Sequence, residues 1–256
     1  MLGAMIGDIV GSVYEWQNIK RTDFVFLKEK CHFTDDTVLT AATAHALMAD
    51  GDYTAAYQDF AHRYPRRGYG GNFSQWIYSE NPKPYNSWGN GSAMRISPVG
   101  FAFDTVEEVL AEAKRSAAVT HNHPEGIKGA QATALAILMG RQGASQADIR
   151  TEISGRFGYD LSRNLAEIRP SYTFDVSCQG SVPEAIIAFL ESEGYEDAVR
   201  KAISLGGDSD TIGCITGGIA QAFYGGVPKE IAKQGGEFLP EEFLQILKDF
   251  EAWRKE

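Results

Sequence analysis

Thr34-Asp35-Asp36-Thr37-Val38-Leu39-Thr40-Ala41-Ala42-Thr43-Ala44-His45-Ala46-Leu47-Met48 and Asp208-Ser209-Asp210-Thr211-Ile212-Gly213-Cys214-Ile215-Thr216-Gly217-Gly218-Ile219-Ala220-Gln221-Ala222-Phe223-Tyr224 are built alike. Each opens on a Thr/Asp cluster suited to capping a helix and continues as a proline-free apolar run; the first stops at Gly51. Working outward, the same signature recurs. Thr105 with Glu108 predicts a capping box before Val109, Leu110 and Ala113, and Pro124 and Gly140 bracket a run containing Ile127, Ala134, Leu135 and Leu138. Pro183 and Gly194 bracket another, and Pro240 opens a last one carrying Phe243, Ile246, Leu247, Phe250 and Trp253 at helical spacing. Strand signals are confined to Phe24–Leu27 and Tyr172–Phe174, with no hairpin dipeptide joining them. The fold class is all-α. The longest stretch without helical periodicity, Tyr64 to Pro98, is rich in glycine and aromatics, and long ordered loops of this kind grip ligands.

A chain of 256 residues with 43% hydrophobic content buries a large core, and the absence of a linker or repeat predicts a single domain over 1–256. The net charge of −10 excludes a general nucleic-acid binder, which needs Lys and Arg to neutralise phosphates. Cys31, Cys178 and Cys214 are odd in number and widely spaced, so they read as reduced core thiols of a cytoplasmic protein rather than a disulfide framework or zinc site. Met1 to Val13 is apolar, but Asp8 interrupts it and it falls short of a membrane span, so no membrane segment is expected.

Capping explains one aspartate per helix start, not two. Crowded carboxylates repel, and one must stay protonated unless a cation is present. Brought together, the two clusters carry four charges, which two divalent cations would balance. Oxygen ligands without Cys select hard ions, Mg2+ by default with Mn2+ as an alternative. Glycine is disfavoured inside helices, so Gly213, Gly217 and Gly218 mark close approach either of another helix or of a ligand. Gly3, Gly7 and Gly11 form a stripe with the same implication, and Asp8 and Glu15, seven apart, are expected on one helical face.

Taken in order, Gly3-Ala4-Met5-Ile6-Gly7-Asp8 with Glu15, Thr34-Asp35-Asp36-Thr37, Gly89-Asn90-Gly91-Ser92-Ala93-Met94-Arg95, Thr120-His121 and Gly206-Gly207-Asp208-Ser209-Asp210-Thr211 closely resemble the ADP-ribosylglycohydrolase family. The resemblance implies a compact orthogonal multi-helix bundle with a dimetal centre holding two Mg2+. It implies Thr34, Asp35, Asp36 and Asp210 as one metal site and Asp208, Asp210 and Thr211 as the other. Glu15 matches the family's mobile acidic residue, a candidate general acid or base beside Asp35 and Asp36. Ser87, Trp88, Gly89, Asn90, Gly91 and Ser92 match the segment around the pyrophosphate of ADP-ribose, and His121 the histidine near the nucleotide. The implied reaction is Mg2+-dependent hydrolysis of the glycosidic bond joining ADP-ribose to an ADP-ribosylated protein or other ADP-ribosyl substrate, with arginine the default target. His123 reads instead as a helix cap, and His45 as structural. The chain is short for the family, and Ser92 stands where glycine is frequent, which leaves the linkage open. Two rival readings are a dimetal nucleotide phosphohydrolase and a non-catalytic ADP-ribose-binding or structural member of the family.

Overall fold

The computed structural model describes residues 1–49 and 51–255. Its helices are α1 (Leu2–Gly11), α2 (Asp35–Met48), α3 (Tyr53–Arg63), α4 (Gly71–Trp76), α5 (Gly91–Met94), α6 (Ser97–Ala102), α7 (Val106–Ala118), α8 (Pro124–Arg141), α9 (Gln146–Phe157), α10 (Leu165–Ile168), α11 (Cys178–Leu190), α12 (Tyr195–Ile203), α13 (Ser209–Phe223), α14 (Lys229–Gly236) and α15 (Glu241–Trp253). Among the described residues there is no strand; the two strand-like runs are irregular, and the nearest thing to a sheet is one isolated antiparallel bridge between Gly89 and Ser177. The all-α expectation holds. No described helix is long and apolar enough to cross a membrane.

The centre of the bundle is the pair α1 and α13. Every residue of α1 from Gly3 onward is buried, as is every residue of α13 from Ser209 to Ala220, the pattern of helices enclosed on all sides. The glycine stripes explain how two such helices come so close. A Cβ on Gly7 would lie 2.0 Å from the Gly213 carbonyl oxygen, and one on Gly217 would lie 2.2 Å from that of Gly3. Of the two readings the glycines left open, helix packing accounts for these positions. Ile6 and Val10 of α1 join one apolar cluster with α8, α11 and α12, while Met5 and Ile9 join a second with α2, α3 and α15. The α1–α13 pair is therefore the wall shared by both cores.

Three local expectations are corrected. Pro183 does not open its helix: α11 starts at Cys178, capped by the Ser177 side chain, and Pro183 lies inside it. Near the helix start the missing N–H removes one hydrogen bond, and the apolar run from Val182 to Leu190 buries enough surface to outweigh it. Thr105 does cap α7 by accepting from the Glu108 N–H, but the Glu108 carboxylate accepts from the Thr105 hydroxyl at 2.6 Å instead of closing a reciprocal box. Third, α1 ends at Gly11, so Glu15 sits in the following turn and shares no helical face with Asp8. The Tyr64–Pro98 stretch is irregular apart from α4, α5 and the start of α6.

Candidate metal centre and substrate cleft

The N-termini of α2 and α13 converge beside the C-terminal half of α1, and the acidic residues gather there. Helix N-termini offer unpaired N–H groups and a positive dipole end, which favours carboxylates at this point. Two groups of three form: Asp8, Asp36 and Asp210, and Glu15, Asp208 and Asp210, in each of which one oxygen per residue lies within 4.8 Å of the others. Asp210 belongs to both. Among the described residues, no Lys or Arg forms an ion pair with Asp8, Glu15, Asp35, Asp36, Asp208 or Asp210.

Asp8 is the member sequence reasoning left out of the metal set, although a charge within an apolar run was its signal. It is fully buried and accepts from the Thr34 N–H (3.0 Å), Thr34 Oγ1 (2.7 Å), Thr37 N–H (3.1 Å) and Thr37 Oγ1 (2.5 Å). It thus clamps the first turn of α2 onto α1. The Thr34 hydroxyl also approaches Asp36 Oδ2 at 3.2 Å, and the Thr211 hydroxyl reaches that same oxygen at 3.4 Å. Asp36 Oδ1, by contrast, is buried and accepts no hydrogen bond among the described residues. Asp35 lies outside both triads and lines the cleft from the start of α2.

Burial is the main cause that raises the pKa of each of these carboxyls. It pushes Asp35, Asp36 and Asp210 well above the usual aspartate range, with neighbouring carboxylates adding to the effect. Asp8 and Asp208 are also raised by burial, against hydrogen bonds that favour their charged forms. Glu15, half-buried, is pushed up to about 7 by burial and then by the Asp208 charge. A cluster that resists ionisation in this way, has an orphaned oxygen and lacks a cationic side chain fits hard divalent cations, which would supply the missing positive charge.

Over this floor opens a cavity of about 630 Å³. The sequence-predicted loop forms one wall: Ser87, Trp88, Gly89, Asn90 and Gly91 all line it, as does His121. Asn90 Nδ2 donates to Asp208 Oδ2 at 2.7 Å and to Ser181 Oγ at 3.0 Å, tying the loop to the acidic centre and to α11. Ser92 does not line the cavity: it is fully buried in α5, and its hydroxyl donates to the Gly126 carbonyl at 2.7 Å. Trp88 is 49% exposed, which removes it from the core. His123 caps α8, its Nδ1 accepting from the Glu125 N–H, and exposed His45 packs on Phe60, so neither belongs to the site.

What the sequence missed is the rim. Trp16 and Phe174, from separate loops, stack with centroids 5.3 Å apart at the mouth, joined by Val176 and Trp88. These are four of the six large hydrophobic side chains exposed on the described protein, a concentration that marks a recognition surface.

Comparison with known proteins places the fold and the sequence together. A family model described as ADP-ribosylglycohydrolase matches residues 1–255. ADP-ribosylhydrolase ARH3 of Mus musculus is 27% identical, the match covering 98% of this chain and 87% of that protein. Its Homo sapiens counterpart is 28% identical over 88% of this chain and 84% of its own. The ADP-ribosylarginine hydrolase Tri1 of Pseudomonas putida is 25% identical over 90% and 71%. A solved structure titled ADP-ribosylglycohydrolase-related protein complex superposes with a TM-score of 0.70 at 24% identity, covering 99% of this chain and 94% of that one, which shows a common fold.

Proposed function

This chain belongs to the ADP-ribosylglycohydrolase family, and from that premise we propose that it hydrolyses the bond between the anomeric carbon of the distal ribose of ADP-ribose and a modified target, releasing free ADP-ribose. The observation that carries the reading is the pair of carboxylate triads sharing Asp210 on the floor of a cleft walled by the Ser87–Gly91 loop. Asp36 and Asp210 with Asp8 would hold one Mg2+, and Asp208 and Asp210 with Glu15 the other, with Thr34, Asp35 and Thr211 adjoining; Mn2+ would suit the same oxygens. Bound there, such ions would polarise ribose hydroxyls and lower the pKa of water toward neutrality.

The chain's own groups supply the rest. Glu15, at the cleft edge, is the candidate general acid or base; its carboxyl is pushed up to about 7 in the metal-free site, and a cation bound beside it would draw it back down. The buried carboxylates would stabilise the positive charge that develops on the distal ribose as the glycosidic bond breaks. Gly89 and Gly91 carry no side chain, so an anionic diphosphate can lie close against the loop backbone, while Trp88 offers a ring face to a base or ribose. The aromatic rim beside Glu15 faces the target end. Arginine linkage is the default reading, in keeping with the name of the Pseudomonas relative, and a planar cationic leaving group suits an acidic, aromatic mouth. The three buried free thiols support a reducing, cytoplasmic setting, and residues 1–256 act as a single domain.

Incubation with arginine-, serine- and base-linked ADP-ribose, with Mg2+ or with a chelator, tests the proposal. Mg2+-dependent release of ADP-ribose from the arginine linkage is expected. Release of AMP would replace it with the phosphohydrolase reading, and binding without turnover of any linkage would replace it with a non-catalytic reader.

A further inference from the structure

Arg95 is the largest fully buried side chain of the described protein, and among the described residues no carboxylate pairs with it. Its guanidinium lies over the Tyr57 ring, 4.1 Å from the centroid, and Nη2 donates to the Ser116 carbonyl at 3.1 Å and to Thr120 Oγ1 at 2.8 Å. Thr120 is itself fully buried, and among the described residues its hydroxyl has one other partner, His121 Nδ1, at 2.7 Å.

These contacts fix the direction of every proton. Arginine can only donate, so Thr120 Oγ1 accepts from it. The hydroxyl proton then needs an acceptor, and His121 Nδ1 is the one within reach. Were Nδ1 to carry a proton instead, it would donate to Oγ1 and leave a buried hydroxyl proton with no acceptor, an arrangement that folded proteins avoid. The ring proton therefore sits on Nε2. That nitrogen has no hydrogen-bond partner among the described residues and hangs over the glycine loop: a Cβ built on Gly91 would lie 3.1 Å from it, and one on Gly89 3.6 Å.

We propose that Arg95 and Thr120 are positioning residues that lock His121 in its Nε2–H tautomer, so that it donates a hydrogen bond to an anionic oxygen of the diphosphate seated on the Gly89–Gly91 loop. The ligand in this statement rests on the function proposed above; the tautomer does not. Burial and then the Arg95 charge hold His121 well below the ordinary imidazole range, so the ring stays uncharged and acts as a fixed neutral donor across physiological pH. Gly89 and Gly91 gain a second reason for being glycine, because a side chain there would crowd Nε2.

Two measurements test this separately. In 15N-labelled, ligand-free protein at pH 7, long-range histidine correlation spectra, with His121 assigned through His121→Gln, should show a protonated Nε2 and a bare Nδ1. Thr120→Ser should keep that pattern and Thr120→Val should lose it. An Nδ1–H or doubly protonated ring in the wild type, or an unchanged tautomer in Thr120→Val, overturns the relay. Calorimetric titration with ADP-ribose should give a Kd roughly five- to tenfold weaker in Thr120→Val, the order expected for one misplaced hydrogen bond, with near-complete rescue in Thr120→Ser. Unchanged affinity in a Thr120→Val protein that has lost the tautomer overturns the donor role. Failure of the wild type to bind ADP-ribose at all would overturn the proposed function and leave the relay to be judged by the spectra.

Discussion

Gly7→Ala changes one hydrogen to a methyl group on the wall between the two cores, and the geometry makes its effect calculable. The new Cβ would lie 2.0 Å from the Gly213 carbonyl oxygen, 2.5 Å from its carbon and 3.0 Å from the Cys214 nitrogen. All three are backbone atoms of α13, so no flexible side chain can yield, and ordinary contact requires α1 and α13 to part by roughly 1 Å or more. Overpacking of this kind costs about 1–3 kcal/mol, and a rigid neighbour places this case at the upper end. For a chain of this size that is a fall in Tm of about 6–12 °C. The same displacement separates Asp8 on α1 from Asp210 on α13, so affinity for Mg2+ should drop by about tenfold or more. Gly155→Ala is the control: Gly155 lies exposed within α9 with nothing inside 4 Å of a Cβ, and the substitution should stabilise by about 0.4–1 kcal/mol with unchanged cation binding. Thermal melts and cation titrations of both variants decide the matter. A Gly7→Ala protein that melts and binds Mg2+ like the wild type would refute the account of the helix pair.

Three further outcomes follow from the site. Asp8, Asp35, Asp36, Asp208 and Asp210 all have folded-state pKa values raised above those of the unfolded chain, so the metal-free fold binds protons more tightly than the unfolded state. The stability contributed by these carboxyls is then fully present at acid pH and is lost as pH rises past the ordinary aspartate range, by about 1.4 kcal/mol per pH unit for each one protonated only in the fold, and the five together outweigh the opposite contributions of the buried Met1 amine and His121. Melts in a chelator should show a higher Tm at pH 5.5 than at 7.5, and saturating Mg2+ should narrow the gap; a slope of opposite sign would contradict the burial argument. Asp36→Asn should weaken Mg2+ binding at least tenfold yet raise the metal-free Tm at pH 7.5, because it removes one repelling charge, and a lower metal-free Tm would argue against that repulsion. Trp88→Ala should weaken ADP-ribose binding several-fold without moving the Tm, as its exposure implies, and unaltered affinity would deny it a place against the ligand.

Local chemistry made much of this legible before any coordinates. The Thr/Asp clusters begin α2 and α13, with Thr34 capping α2 by accepting from the Asp36 N–H while Asp208 makes no side-chain cap on α13, and the glycine stripes announce close approach for a local reason. Features set by the meeting of distant segments could not be read in the same way. Trp16 and Phe174 stack across 158 positions of sequence with no motif around either. The pairing of Asp8 with Thr34 and Thr37 depends on how α1 and α2 pack, and the turn at Glu15 depends on where α1 stops. Pro183 misled because bracketing by proline assumes a helix start, while the tertiary burial of α11 carries the helix through it. The place of Ser92 in the loop points to the cleft, whereas the first turn of α5 directs its hydroxyl to the Gly126 carbonyl.

On the proposed function one carboxylate, Asp210, serves two cation sites at once. Equilibrium titration of the metal-free protein with Mg2+, read by calorimetry beside Asp210→Asn, tests it most directly. Two ions per chain are expected in the wild type and loss of both in the variant, with its helical content intact. Retention of either site at wild-type affinity in Asp210→Asn would contradict it.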